Sequence, residues 1–162
     1  MIGKFRQIPL VCLLISVFRI FFGKLKYSKE YTGRTVKMDD GSIFTIFREI
    51  KRFPINSLDS ECVFIVRFKF KHLGFKANKL ASKIPMFLIA GQSGFVAKCY
   101  AVNHQNGFWQ GMYQWKTMKD LDNYKHSFIY KMMNKRAIPE TIQSWVFKNQ
   151  KLNEFIYNRI NL

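Results

Sequence analysis

Trp109, Gly111, Tyr113 and Trp115 stand at alternate positions of one ring-bearing run, 108–116. A strand turns every second side chain to the same face, so three large rings and one glycine share a surface. The gap at Gly111 leaves space over the sheet in which a planar molecule could stack. Phe68 and Tyr100, on neighbouring strands, complete the expected pocket. Tyr124, on the helix that follows, can point its hydroxyl into the same space. His126 is the candidate general base if that helix turns its imidazole inward. His72 ends a strand and His104 enters a turn, and both read as surface residues. The rings are equally compatible with ordinary core packing, and Tyr124 with a core tyrosine whose hydroxyl is satisfied.

Other chemistry is not signalled. The chain has no GxSxG, GxGxxG, P-loop or HExxH pattern. Asp39-Asp40 sits in a turn and Asp120 and Asp122 open a helix, so no acidic pair suits glycosidic hydrolysis. The cysteines Cys12, Cys62 and Cys99 are odd in number without CxxC spacing, which predicts buried thiols and no zinc site. No metal and no cofactor is expected. The formal charge of +17 implies attraction to an anionic surface. The basic residues are scattered, without a helix-turn-helix, zinc-finger or RNP pattern, so nucleic acid is not the expected partner. A base-stacking platform on Phe108–Lys116 is the remaining nucleic-acid reading. With 48% hydrophobic residues and 17 phenylalanines, the chain is globular rather than disordered.

The elements that must position these residues follow from periodicity. Residues 42–52 alternate as a strand, with Phe44, Ile46 and Arg48 on one side, ended by Pro54 and the polar run 56–60. Residues 61–71 form the clearest strand, with Cys62, Phe64, Val66, Phe68 and Phe70 on one face and Arg67, Lys69 and Lys71 on the other. From 76 to 89 the period lengthens to that of a helix bearing Leu80, Ile84, Phe87 and Leu88, which Pro85 should end or kink. Residues 95–103 and 108–116 are two strands joined through Asn106-Gly107, a hairpin signal. Thr117 and Asp120 open a helix in capping-box style, with Leu121, Tyr124, Phe128 and Met132 as its buried stripe. A last strand runs over 141–148. The order from residue 61 is β-α-β-β-α-β, a ferredoxin-like α+β fold with an extra preceding strand. Helices cover one sheet face. The other, rich in aromatics, has to be buried by a second copy of the chain, by the extra strand or by the N-terminal arm.

The N-terminus is separate in character. Residues 8–18 are apolar except for Pro9 and Ser16, and Arg19, Ile20, Phe21, Phe22 and the bases Lys24, Lys26 and Lys29 follow. This stretch is short for a spanning helix. It reads as an uncleaved membrane anchor, interfacial or shallowly inserted, flanked by bases that bind anionic headgroups. A cleaved signal and a helix packed on the domain are the alternatives. The expected organisation is an anchor helix over 1–26, a linker over 27–41, the domain over 42–149 with its core at 61–149, and a tail over 150–162. The domain is placed on the cytoplasmic side of a membrane.

Gly94-Phe95-Val96-Ala97-Lys98-Cys99-Tyr100, then Gly111-Met112-Tyr113-Gln114-Trp115, then a helix with Tyr124, resembles the YdhR-like family of presumed monooxygenases. That family belongs to the antibiotic-biosynthesis-monooxygenase branch of the dimeric α+β barrels. The likeness covers roughly residues 63–147, and departs from the family in the turn Gly91-Gln92-Ser93-Gly94, which lacks a proline. It implies a homodimer and a pocket between sheet and helices for a flat organic molecule. Haem degradation is disfavoured, because residues 61–71 lack asparagine, Tyr124 stands where a tryptophan is expected and Asn134 where a histidine is. The implied activity is cofactor-independent monooxygenation of a lipophilic aromatic or isoprenoid molecule. The alternative is a non-catalytic ligand-binding or structural dimer at the membrane.

Overall fold

The computed structural model describes residues 8–53 and 61–160. Pro54 and the polar run after it, expected to end a strand, lie outside the described residues. Among the described residues, seven strands form one antiparallel sheet: β1 (Leu25–Ser28), β2 (Thr35–Lys37), β3 (Ile43–Arg52), β4 (Cys62–Phe68), β5 (Phe95–Val102), β6 (Trp109–Trp115) and β7 (Gln143–Lys148). Their order is β1-β3-β5-β6-β4-β7, with β2 also pairing β3. The four strands β5-β6-β4-β7, with helical crossovers between β4 and β5 and between β6 and β7, are the ferredoxin-like core the sequence predicts. Strand β4 is central, lying between β6 and β7, and all seven of its residues are buried. That accounts for its near-continuous apolar run.

The helices differ from expectation in their breaks. Between β4 and β5 the chain forms α2 (Phe75–Ala81) and α3 (Lys83–Ala90), hinged at Ser82. Pro85 falls in the first turn of α3, where a missing N–H costs nothing. The buried face of α3 is Pro85, Met86, Leu88, Ile89 and Ala90, while Leu80 and Ile84 point to solvent. After β6 come α4 (Met118–Lys125) and α5 (Phe128–Arg136). Thr117 caps α4, accepting from the Asp120 amide at 3.1 Å, as predicted. Ser127 then caps α5, accepting from the Tyr130 amide at 3.3 Å. This break shifts the inward phase by one residue, so Ile129 and Met133 are buried in place of Phe128 and Met132.

The sheet carries an apolar layer on each face. Helices α2–α5 cover one. The other is closed by the chain itself: Tyr31, Val36 and Met38 from one side and α6 (Leu152–Tyr157) from the other, with Leu152, Phe155 and Ile156 buried against Val63, Ile65 and Met112. The end of this segment is tied to β2, where the Lys37 amide donates to the Arg159 carbonyl at 2.9 Å. The residues expected as linker thus hold β2 and the second half of β1, whose first half falls in the expected anchor helix, and the expected tail holds a helix. The aromatic side chains of β4, β5 and β6 thus lie under the helices rather than on the open face, and the face expected to need further cover is largely aliphatic and is met within one chain. Residues 9–21 form helix α1 (Pro9–Phe21), which packs on α3.

Candidate functional site

Strands β5 and β6 present Lys98, Tyr100, Trp109, Gly111 and Tyr113 toward the helices. In register, Lys98 pairs with Tyr113, Tyr100 with Gly111 and Val102 with Trp109. Together with Phe68, Phe70, Ser82, Pro85, Gln110, Met133 and Arg136 these residues surround a narrow cavity of about 40 Å³. Rings and aliphatic groups make up most of its wall, and among the described residues no carboxylate lines it.

Four of the five expected pocket residues line this cavity: Phe68, Tyr100, Trp109 and Tyr113. Trp109 packs among three rings, its centroid 5.3 Å from Phe47, 5.1 Å from Phe70 and 5.2 Å from Phe75. Trp115 shares the predicted strand face but sits one layer behind, stacked on Tyr124 at 4.8 Å. The space over Gly111 is not empty. A side chain there would meet the Tyr113 ring at 2.6 Å, so the glycine lets Tyr113 lie flat over the strand, narrowing the slot the sequence suggests.

The two expected catalytic residues separate. Tyr124 is fully buried, and its hydroxyl donates to the Tyr113 hydroxyl at 3.3 Å. It touches the cavity through Tyr113. His126 is exposed at the C-terminus of α4, with Nδ1 2.8 Å from the Asp122 carbonyl, and does not reach the cavity. His126 is the C-cap, two residues past the inward Tyr124, and falls on the outer side of the helix end.

A buried lysine is nevertheless present. Lys98 is 2% exposed and lines the cavity. Its ammonium lies 3.8 Å from the centroid of the Tyr100 ring and 4.3 Å from that of Tyr113. Among the described residues it makes no salt bridge. Burial, with the Arg48 charge adding to it, drives its pKa well below the usual lysine value. The two ring faces return part of that cost by attracting the cation. Desolvation wins, because two ring contacts cannot replace a full hydration shell.

Beside it, the Tyr100 hydroxyl is buried without a hydrogen-bond partner. Burial holds the phenols of Tyr100, Tyr113 and Tyr124 above their ordinary value, so all three stay protonated donors. Arg48 packs over Tyr100 at 5.5 Å, held by Ser82 and the Lys79 carbonyl, each at 2.7 Å. Arg136 at the cavity wall donates to Asn78 at 3.1 Å. A lysine whose pKa is lowered by burial thus adjoins an unpartnered phenol in a largely apolar, positively biased pocket. Such a group can deprotonate a weakly acidic O–H and hold the anion that results.

Sequence reasoning missed Lys98 and Arg48 as site residues. Lys98 carries a signal, since it shares the inward phase of β5 with Tyr100 and Val102. Arg48 carries none. A register shift between Ile46 and Arg48 flips the alternation of β3, putting Phe44 and Ile46 in the far layer while Ile50 and Arg48 face the site.

No protein-family model matches the chain, and no curated protein matches it. Solved structures with a similar fold include a presumed monooxygenase from Fusobacterium nucleatum subsp. nucleatum. Its TM-score is 0.50 at 12% identity, covering 66% of this chain and 49% of that one. An anthrone oxidase-like protein has a TM-score of 0.43 at 13% identity, covering 66% of this chain and 54% of that one. The chain spans about half the length of these structures. At this identity the likeness shows the fold alone: an α+β, monooxygenase-like fold of the ferredoxin type.

Proposed function

We propose that this protein is a cofactor-independent monooxygenase of the YdhR-like type, acting on a lipophilic phenol. The observation that carries the reading is the buried, unpaired Lys98 amine beside the unpartnered Tyr100 hydroxyl in an aromatic cavity. Lys98 Nζ takes the phenolic proton, and Tyr100 donates to the phenolate oxygen. The electron-rich ring then reduces dioxygen. A phenol with a free para position and one dioxygen give a quinone and water, one oxygen atom going to each. Tyr113, backed by Tyr124 and Met133, sets the wall against which the ring rests.

The test uses 1-naphthol as probe, following dioxygen uptake and naphthoquinone absorbance, with labelled dioxygen to trace one atom into the product. Wild-type turnover is expected. It should fall about 100-fold or more in Lys98→Met, with naphthol binding retained. Binding without dioxygen uptake in the wild type, across bicyclic and tricyclic phenols, would instead favour a ligand carrier.

A further inference from the structure

Helix α1 packs with its polarity reversed. Cys12 and Ser16 are buried against the domain. The Ser16 hydroxyl donates to the Phe87 carbonyl, and the Arg19 guanidinium donates to the Ala90 carbonyl and, at 3.4 Å, to that of Gln92. The approach is close enough that a side chain at Gly91 would collide with the Cys12 backbone. Outward stand Leu10, Leu14, Val17, Phe18, Phe21 and Phe22, all more than half exposed and Phe21 83% exposed. A surface helix in water turns its apolar stripe inward. Polar groups bonded inward with large apolar groups outside is the arrangement of a helix whose solvent is lipid.

We propose that α1 docks the protein on an anionic lipid surface, lying in its plane, with Leu14, Val17, Phe18 and Phe21 among the acyl chains. Length excludes crossing: 13 residues make a helix of about 20 Å, against a hydrocarbon core of about 30 Å. No described helix is long and apolar enough to span a membrane. Charge selects the occupant. No acidic residue precedes Glu30, and exposed Lys24, Lys26 and Lys29 follow directly on the rings. They sit where headgroup phosphates would be. Phe18 stacks on Phe22 at 6.2 Å, and Phe21 meets Phe22 edge-on at 5.4 Å, forming an aromatic block beside the bases. A second copy offering the same face would oppose these lysines with its own.

The experiment is flotation of the full chain with phosphatidylcholine vesicles, with and without phosphatidylglycerol. The set comprises wild type, Leu14→Asp, Phe18→Asp and a Phe18→Trp reporter. Binding to the anionic vesicles is expected to fall roughly tenfold or more in each Asp variant, with unchanged thermal midpoints because both sites are exposed. The emission that the Phe18→Trp reporter adds to that of wild type should shift to the blue and be quenched by brominated acyl chains. Adsorption by net charge alone would be released by salt, indifferent to the Asp variants and unquenched, and that result overturns the proposal. So does absence of binding, or a dimer or partner complex broken by the same variants in protein that ignores vesicles.

Discussion

At the scale of the residue, the molecule turns on one amine. Because the Lys98 pKa is lowered on folding, the unfolded chain binds the proton more readily. Stability contributed at this site therefore rises with pH between the folded value and the ordinary lysine value of about 10.4. Below both values the penalty is constant, and above both it vanishes. Lys98→Met should consequently stabilise the fold at pH 7 by about 1–3 kcal/mol. Urea denaturation at pH 7 and pH 10 should show that gain shrinking at the higher pH. A gain independent of pH would mean the amine keeps its ordinary lysine pKa in the folded protein. A variant more stable and less active is the pattern expected of a group kept for chemistry.

At the scale of the element, strands were more legible than helices. The alternation expected over 61–71 reappears over Cys62–Phe68, and the Asn-Gly turn and the shared face of Trp109, Tyr113 and Trp115 also reappear, because a regular buried strand repeats every two residues. What breaks a period is harder to read. Ser82 and Ser127 each interrupt a helix, yet serine is common and either position could have been an ordinary helical residue. The bulge beside Phe47 leaves no mark in residue type, and it alone moves Arg48 across the sheet. Helix α6 has six residues, fewer than two turns, too few for a periodic signal. If the Ser127 hydroxyl holds the α4–α5 break, Ser127→Ala should cost about 1 kcal/mol, measured by chemical denaturation. An unchanged midpoint would assign the break to the packing of Ile129 and Met133 instead.

At the scale of the whole molecule, a single chain closes a sheet face that the sequence left open to a second copy. Phe155 is fully buried, its ring 5.0 Å from Phe147. Truncating it leaves a cavity under α6, so Phe155→Ala should cost about 3–5 kcal/mol. It should also promote self-association, read by light scattering, as the far face becomes accessible. A stable, monodisperse variant would show that α6 is not what closes that face. The sheet order has a further consequence, in time rather than space. Strand β3 lies between β1 and β5, but the ribosome finishes it at Arg52, well before β5 is complete at Val102. At about 5–20 residues per second the nascent chain holds an unpaired strand edge and a greasy N-terminal helix for roughly 2–10 s. Slowing the emergence of β5 should therefore lower the yield of folded chain, as the exposed segment waits longer for its partner.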